Sequence, residues 1–303
     1  MRVVLPDGVL GMASRGGDWA DWVARLPRVA ADLLDEWELR QDGLARHGFT
    51  ALVLPVVDRR GSAAMLKVGF PDEESEHEHL ALTHWNGAGA VRLLRADPRR
   101  RALLLERLDE RSLRDEWDLE ACRVVAGLYG RLHRPAFAQL RPLSDVAARV
   151  AQQLDDLPRA APLPHRLVGQ AATLARDFIH DDCTDGTVIH TDLHYDNVLA
   201  AVRTPWLAID PKPLSGDPHY EVAPMLWNRF DELAGRVREG VRQRFHTIID
   251  AADLDEDRAR GWVIVRMMAL ATWTLGEAGG GGLDADDRDV LTTCVAVAKA
   301  VQE

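Results

Sequence analysis

Six polar side chains crowd into one short stretch of the sequence, VIHTDLHYDNVLAAVRTPWLAIDPK, which spans residues 188–212. Apolar runs predict two short strands there, Thr187–His190 and Trp206–Ile209. A carboxylate followed five residues later by a carboxamide, with a further carboxylate after the next strand, suits phosphoryl transfer to a hydroxyl group. The six side chains belong to His190, Asp192, His194, Asp196, Asn197 and Asp210.

The spacing within this stretch assigns a role to three of these residues. Four residues separate Asp192 from Asn197, as in the kinase catalytic loop H-R-D-x-x-x-x-N, and Thr191 occupies the position of the arginine. Asp192 is predicted to orient the acceptor hydroxyl and take its proton. Asn197 and Asp210 are predicted to hold Mg²⁺ on the nucleotide phosphates.

A lysine in an apolar run supplies the other element of such a site. Lys67, in AMLKVGF, is the only lysine in the first hundred residues. At that position it needs an anionic partner, such as the nucleotide phosphates together with a helical glutamate. Glu78 fits best, because Leu82 and Trp85 follow it at helical spacing; Glu73, Glu74 and Glu76 are the other candidates.

Two other interpretations of the polar stretch remain open. His190, Asp192 and His194 alternate, so on an extended strand they would share a face and could bind a metal ion in a metallohydrolase. The polar side chains could also do no more than cap a turn. Neither interpretation accounts for Lys67, Asn197 and Asp210 occurring in this order.

The bulk composition narrows the class of partner. The chain has 303 residues, a net charge of −11 and three distant cysteines, Cys122, Cys183 and Cys294. The acidic charge disfavours nucleic acid and favours a cationic small molecule. Disulfides and a zinc finger are not expected. Because no signal peptide or membrane-spanning run is evident, we expect no membrane partner and a cytoplasmic location.

The periodicity predicts an α+β chain with two lobes. A leading helix over Trp19–Leu39 precedes two strand pairs, Phe49–Val57 with Ala63–Val68 and Ala90–Leu94 with Ala102–Glu106. A second helix, from Pro71 to about Trp85, lies between the pairs. The predicted domains are a small antiparallel-sheet lobe over 1–106, a connector over 107–114 and a larger, mostly helical lobe over 115–303. The helices predicted for the second lobe are Asp115–His133, Ser144–Leu157, Leu163–His180, Glu221–Phe230, Asp231–Ala251, Glu256–Glu277 and Asp284–Val301, with a flexible break at Gly279–Gly282.

The motifs resemble a known family over nearly the whole chain. HTDLHYDNVL, WLAIDPKPLSGDPHYEVAPMLWNR, GFTALVLPV and AMLKVGF are similar to the streptomycin 6-phosphotransferase/hydroxyurea phosphotransferase family of the aminoglycoside phosphotransferase group. The resemblance implies a protein-kinase-like fold and transfer of the γ-phosphoryl group of ATP or GTP, with Mg²⁺, to a small hydroxylated acceptor. Antibiotic resistance would be the biological role.

The resemblance also implies where the nucleotide binds. The adenine site matches the segment LLERL at Leu104–Leu108, where backbone groups near Glu106 and Leu108 would read the base. The first strand pair contains no G-x-G-x-x-G. The turn DRRG at Asp58–Gly61 is therefore expected to cover the phosphates, with Arg59, Arg60 or Ser62 close to them.

A cationic acceptor calls for carboxylates and aromatic faces around its pocket. The acidic candidates can instead be structural or solvated, and the two tryptophans can be core residues. His133 is expected to pack under the catalytic loop. The candidate acceptor-binding residues are Asp217, Glu221, Trp227, Asn228, Trp273 and Glu277.

Two further functions stay open at this point. A metabolic sugar or amino-alcohol kinase would share the same motifs, and the acceptors that it phosphorylates would distinguish it. A nucleotide-binding pseudokinase scaffold is less favoured, because Lys67, Asp192, Asn197 and Asp210 are all present.

Overall fold

The chain folds into two compact units. The computed structural model describes residues 3–278 and 282–302. One unit contains the residues up to Glu110 together with Ala201–Pro205, and the other contains Arg111–Ala200 and the residues from Trp206 onward. Within the described residues no helix combines the length and apolar character needed to cross a membrane. Of the glycine break predicted at 279–282, all but Gly282 lies outside the described residues.

The first unit is built on an antiparallel sheet with the strand order β1-β3-β4-β6-β5, in which β2 also pairs with β3. Two helices precede the sheet and one is inserted between β4 and β5; the sequence predicted the longer leading helix and the inserted helix, but not the short first one. The elements are α1 (Asp7–Gly11), α2 (Gly17–Glu36), β1 (Arg40–Gln41), β2 (Arg46–His47), β3 (Ala51–Val57), β4 (Ala63–Gly69), α3 (Glu78–Trp85), β5 (Leu93–Asp97) and β6 (Ala102–Glu106).

Side-chain alternation along β4 separates the core from the functional face. Leu66 and Val68 are fully buried in a core that α2 covers with Trp22, Leu26 and other apolar side chains. Because successive side chains of a strand point to opposite faces, Lys67 between them faces away from that core.

Local turns explain why both predicted helices of this unit are shorter in the structure. Helix α2 stops at Glu36 because Glu38 adopts a left-handed conformation (φ 56°) and the Leu39 N–H returns to the Leu34 carbonyl at 2.8 Å. Helix α3 starts only at Glu78, since the Asp72 carboxylate accepts the Ser75 N–H at 2.7 Å and closes a turn where helix was predicted.

The second unit is mostly helical. A three-stranded sheet of order β11-β8-β7 and the hairpin β9–β10 interrupt its helices. The elements are α4 (Asp118–Leu132), β7 (Arg134–Pro135), α5 (Leu143–Asp155), α6 (His165–Ile179), β8 (Thr187–Ile189), β9 (Val198–Ala200), β10 (Trp206–Ala208), β11 (Leu214–Gly216), α7 (Ala223–Trp227), α8 (Val237–Ala252), α9 (Glu256–Ala278) and α10 (Ala285–Ala300).

Two predicted helices of the second unit differ from the structure. The segment Glu221–Phe230 forms a 3₁₀ turn over Pro218–Val222 and a short helix over Ala223–Trp227. The Asp217 side chain caps the 3₁₀ turn by accepting the His219 N–H at 3.0 Å. The helix predicted over Asp231–Ala251 begins only at Val237, because a 3₁₀ turn over Phe230–Leu233 is followed by Gly235 in a left-handed conformation (φ 81°). The other helices of this unit were predicted with ends within three residues of those observed.

We predict that Gly216→Ala destabilises the protein. A Cβ at Gly216 on β11 would overlap the Ile189 side chain and lie 3.2 Å from Leu143 Cβ. Overpacking of this kind costs about 1–3 kcal/mol in the free energy of unfolding. Chemical denaturation measures the change.

Gly169→Ala is the matched control for this change. Gly169 lies within α6, and a Cβ there would meet no atom within 4 Å. The control should raise the free energy of unfolding by about 0.5–1 kcal/mol, since alanine favours a helix interior over glycine. Equal effects of the two substitutions would contradict the packing argument.

Candidate active site

The catalytic loop begins at a residue in an unusual backbone conformation. Thr191 has φ 64°, which is uncommon for a β-branched residue. Its N–H donates to Glu221 Oε1 at 2.6 Å, and its hydroxyl donates to the Lys212 carbonyl at 2.7 Å. Its carbonyl accepts from Arg266 Nη2 at 2.8 Å. These three hydrogen bonds hold a conformation that the threonine would otherwise avoid.

His190 anchors the loop from the other side. Its Nε2 lies 2.9 Å from the Ile209 carbonyl, and its Nδ1 accepts the Asp192 N–H at 3.3 Å. Burial lowers the pKa of His190, which favours the neutral ring that this pair of contacts requires. The left-handed Thr191 also breaks the extended backbone on which a metal site of His190, Asp192 and His194 would depend. Among the described residues no group of three or more His, Cys, Asp or Glu side chains is arranged to hold a metal ion.

The two carboxylate oxygens of Asp192 have different surroundings. Oδ2 lies 3.1 Å from Lys212 Nζ and 3.4 Å from Asn197 Nδ2. Oδ1 is 3.8 Å from His194 Nε2, which is beyond hydrogen-bonding distance. With 22% of its surface exposed, the side chain can accept a hydroxyl at Oδ1 while Oδ2 is held.

The β9–β10 hairpin brings the two candidate metal ligands to one end. Val198 pairs with Ala208, so Asn197 directly precedes one strand and Asp210 closely follows the other; the Ile209 N–H bonds the Asn197 carbonyl at 2.9 Å. Asn197 Nδ2 donates to the Asp192 carbonyl at 2.8 Å, which turns the amide oxygen away from Asp192. One amide oxygen and one carboxylate suit Mg²⁺, which takes few protein ligands and completes its shell with phosphate oxygens and water.

Lys67 and Glu78 form a buried ion pair in the first unit. Lys67 Nζ lies 2.7 Å from both carboxylate oxygens of Glu78. The two side chains are 11% and 5% exposed. They line a small pocket together with Thr50, Ser75 and Arg101.

The strand register corrects the expectation that DRRG covers the phosphates. The turn Asp58–Gly61 follows the Val57–Ala63 pair, whereas Lys67 pairs with Val53 at the other end of the hairpin. Lys67 lies four residues along the strand from Ala63, a distance of about 13 Å. The turn between β2 and β3 lies at the Lys67 end, because Ala51 pairs with Gly69 and Thr50 lines the Lys67 pocket.

In the segment predicted to bind adenine, the side chain of Glu106 is already bound by other residues of the protein. The Glu106 carboxylate binds Arg203, at 2.6 Å from Nη2, and accepts the Arg92 N–H at 2.8 Å. Burial raises the pKa of Glu106, but the hydrogen bonds from Arg203 and from the Arg92 N–H, together with the charges of both arginines, lower it overall. Reading of a base here is therefore left to backbone groups around Leu108, which is half-buried.

Asp217 and Glu221 are internal, which corrects their assignment to the acceptor pocket. Asp217 is 1% exposed and binds Arg258, His219 and, at 2.6 Å, Trp262 Nε1. Glu221 is fully buried between the Thr191 N–H and His133 Nε2, which lies 2.6 Å from Oε2. Carboxylates so enclosed, with their oxygens bound by internal partners, are placed to position other groups.

The other predicted acceptor residues lie in two places. Trp227 is half-buried with the Arg266 guanidinium 5.1 Å from its ring centre, and the Asn228 side chain donates to the Pro224 carbonyl at 2.9 Å. Trp273 and Glu277 lie one helical turn apart on α9 and are both exposed, Trp273 by 58%.

Two arginines that support the loop, Arg266 half-buried and Arg244 buried, were missed. Arg266 holds the Thr191 carbonyl, and Arg244 is fully buried beneath the Tyr195 ring, at 2.9 Å from Asp118 and 2.7 Å from the Asn228 carbonyl. The sequence could have predicted that Arg244 is buried, because it lies at helical spacing from Val241 and Ile248 on the apolar face of α8.

We predict that Glu221→Gln destabilises the protein in a pH-dependent way. Burial raises the pKa of Glu221, but the hydrogen bond and charge of His133, together with the Thr191 N–H, hold it below the ordinary 4.5. A lowered folded pKa stabilises the protein above the unfolded pKa, and the stabilisation is lost as the pH falls through the folded pKa. At pH 7 the variant should lose about 1–3 kcal/mol, because a charge-assisted buried hydrogen bond is removed.

Denaturant titrations at pH 7, 5.5 and 4 measure this loss. Glu120→Gln is the control, since Glu120 forms an exposed pair with Arg123 that should matter little. The gap between wild type and Glu221→Gln should narrow below about pH 4.5. A gap of equal size at pH 4 and pH 7 would contradict the assigned charge.

Comparison with known proteins agrees with this geometry. Residues 36–278 match the model of a family described as aminoglycoside/hydroxyurea antibiotic resistance kinase. The chain is 40% identical to streptomycin 6-kinase of Streptomyces glaucescens over 93% of this chain and 94% of the relative. It is 39% identical to hydroxyurea phosphotransferase of Kitasatospora aureofaciens over 94% of this chain and 83% of the relative.

A solved structure shares the fold at low sequence identity. A thermostable mutant of aminoglycoside phosphotransferase APH(4)-Ia, in a ternary complex with ADP and hygromycin B, superposes with a TM-score of 0.59 at 15% identity, covering 89% of this chain and 97% of that one. The predicted two-lobed, kinase-like α+β fold is thereby confirmed. With the family match spanning most of the sequence, the chain belongs to the aminoglycoside/hydroxyurea antibiotic resistance kinases.

Proposed function

We propose that this kinase transfers the γ-phosphoryl group of ATP or GTP to a hydroxyl of a small acceptor, with streptomycin, at its 6-hydroxyl, as the leading candidate and hydroxyurea as the second. The observation that carries the proposal is the asymmetry of Asp192, whose Oδ2 is held by Lys212 at 3.1 Å while Oδ1 makes only a 3.8 Å approach to His194. A general base for a hydroxyl needs one such available oxygen.

The chemistry at Asp192 is a balanced in-line displacement. The acceptor oxygen forms a bond to the γ-phosphorus as the bond from that phosphorus to the β,γ-bridging oxygen breaks, and the hydroxyl proton passes to Asp192 Oδ1. Asn197 and Asp210 would hold Mg²⁺, which when bound neutralises charge on the phosphates. The amide oxygen of Asn197 is turned away from Asp192, so binding a metal would leave the carboxylate contact intact.

Lys67 and Glu78 would serve the nucleotide. An ammonium on a rigid strand, held by a bidentate carboxylate, can pair with the α- and β-phosphates without a large loss of side-chain entropy. The backbone around Glu106 and Leu108 would read the base, because the Glu106 carboxylate is already bound to Arg203.

A cationic acceptor suits the remaining exposed groups. Trp273 and Glu277 on α9 present an aromatic face and a carboxylate one turn apart, as ion pairing and cation–π contact with a guanidinium require. Trp227 and Asn228 are a second, less exposed candidate pair. The net charge of −11 favours the approach of a cation.

The acceptor is identified by a nucleotide-consumption assay. Mg-ATP and Mg-GTP are each supplied with streptomycin, hydroxyurea and a panel of amino sugars and amino alcohols. Robust turnover with streptomycin supports the proposal, and the relatives named for streptomycin and hydroxyurea kinases make these the first two compounds to try. Turnover confined to an amino sugar or amino alcohol would replace it with a metabolic kinase.

We predict that Asp192→Asn lowers kcat about 100- to 10,000-fold, the usual contribution of a general base. The Kd of Mg-nucleotide should stay unchanged, because Asp192 is not proposed to touch the nucleotide. Steady-state kinetics and calorimetry measure the two quantities. Asp196→Asn is the matched control. The Asp196 side chain is nearly half-exposed, and its Oδ1 lies 2.9 Å from Arg114 Nε. Near-normal turnover in Asp192→Asn would overturn the mechanism.

We predict that Lys67→Met raises the KM for nucleotide and lowers kcat/KM about 100-fold, as expected when a positioned charge on a phosphate is removed. The KM for the acceptor should change little. Lys299→Met is the control, because Lys299 is an exposed residue of α10. Unchanged nucleotide kinetics in Lys67→Met would exclude Lys67 from the nucleotide site.

A further inference from the structure

Lysine is rare in this chain and is concentrated at two functional positions. Lysines and arginines together number 37, yet the only lysines are Lys67, Lys212 and Lys299. Lys67 lies at the proposed nucleotide site and Lys212 lies against Asp192. A lysine is a compact point charge, whereas arginine is a broad planar fork. A chain that uses arginine almost everywhere else has a lysine where a small cation must fit.

Three consecutive residues of the catalytic loop contact Lys212. The Lys212 N–H donates to the His190 carbonyl at 3.0 Å, and the Lys212 carbonyl accepts the Thr191 hydroxyl at 2.7 Å. The Lys212 ammonium lies 3.1 Å from Asp192 Oδ2. Lys212 is also two residues after Asp210. The backbone contacts therefore fix the origin of the side chain relative to both Asp192 and the proposed metal-binding segment.

We propose that Lys212 is a positioning residue that fixes the Asp192 carboxylate for the reaction. This inference rests on the proposed function and adds a residue to its site. The ammonium occupies Oδ2 and shares that oxygen with the Asn197 amide at 3.4 Å. Rotation of the carboxylate is thereby restricted, and Oδ1 is the oxygen that is presented to the acceptor hydroxyl.

Thr191, in its strained conformation, also helps to position Lys212. Its hydroxyl is the hydrogen-bond donor to the Lys212 carbonyl, a contact that glycine at this position would lack. Its N–H and carbonyl are bound separately, by Glu221 and Arg266. Thr191→Ser retains the hydroxyl, whereas Thr191→Val keeps the shape and removes it, so this pair isolates the hydrogen bond from the packing.

The test compares Lys212→Met with Lys212→Arg, and uses Lys299→Met as the control for loss of a lysine charge. Lys212→Met should lower kcat about 10- to 100-fold, as small misplacements of reacting groups do. The KM and Kd for nucleotide should stay within about twofold, and the melting temperature should stay close to that of wild type, because the side chain is about one-third exposed. Lys212→Arg should recover only part of kcat, because it restores the positive charge but not the compact shape of the ammonium.

A double-mutant cycle with Asp192→Asn separates positioning from a general structural role. If Lys212 acts through Asp192, Lys212→Met should change the residual kcat of Asp192→Asn less than about twofold, since the two residues work as a unit. A structural role would give the same loss in both backgrounds. Thr191→Val should show a smaller loss than Lys212→Met, and Thr191→Ser should be close to wild type.

Different results would overturn the positioning role of Lys212 and the proposed acceptor substrates. Lys212→Met with wild-type kcat, or with a full further loss in the Asp192→Asn background, overturns the positioning role. The acceptor in these assays is whichever compound the wild type phosphorylates, or water in slow hydrolysis, so the cycle gives a result even if streptomycin and hydroxyurea both fail. Failure of those two compounds counts against the proposed substrates only.

Discussion

The active-site half of the second unit depends on one backbone constraint, the left-handed conformation of Thr191. A β-branched residue reaches φ 64° only when its surroundings compensate for the strain. Here Glu221, Arg266 and Lys212 do so through three hydrogen bonds of 2.6–2.8 Å. The turn at Thr191 directs the chain from the end of β8 so that Asp192 meets Lys212 and Asn197. The Asp192 carboxylate is therefore arranged before any ligand binds, as the proposed electrostatic catalysis without reorganisation in the transition state would require.

Buried charged side chains support the conformation of Thr191 and the catalytic loop. Glu221, Asp217 and Arg244 are almost completely enclosed, and each is bound by several partners. Because an unpaired charge in the interior is very costly, such groups persist only in satisfied networks. In this chain the networks tie the 3₁₀ turn after β11 and helices α8 and α9 to the catalytic loop. Removing one partner would disturb the loop even though these side chains are enclosed in the interior.

The sequence predicted the site best where the chemistry depends on local spacing. Asp192 and Asn197 lie five residues apart in one loop. Asp210 follows β10, which pairs with β9 directly after Asn197, so the sequence alone could predict that the three residues lie close together. The pairing of Lys67 could be predicted because a charge inside an apolar run needs a partner, and Glu78 is that partner. Asp217 and Glu221 looked like pocket acids, because burial depends on helices far along the chain. The turn between β2 and β3, which lies at the Lys67 end of the sheet, was missed because the two residues of β2 give little periodic signal.

The most direct test of the account is the position of the metal ion in a crystal of the complex with a non-hydrolysable ATP analogue and Mn²⁺. Anomalous scattering locates Mn²⁺ independently of the protein model. The account predicts a peak within about 2.0–2.3 Å of side-chain oxygens of Asn197 and Asp210. Asp192 should keep its Oδ2 on Lys212 and stay outside the coordination shell. A metal ion bound directly by Asp192, or bound away from Asn197 and Asp210, would contradict the assigned division between base and metal ligands.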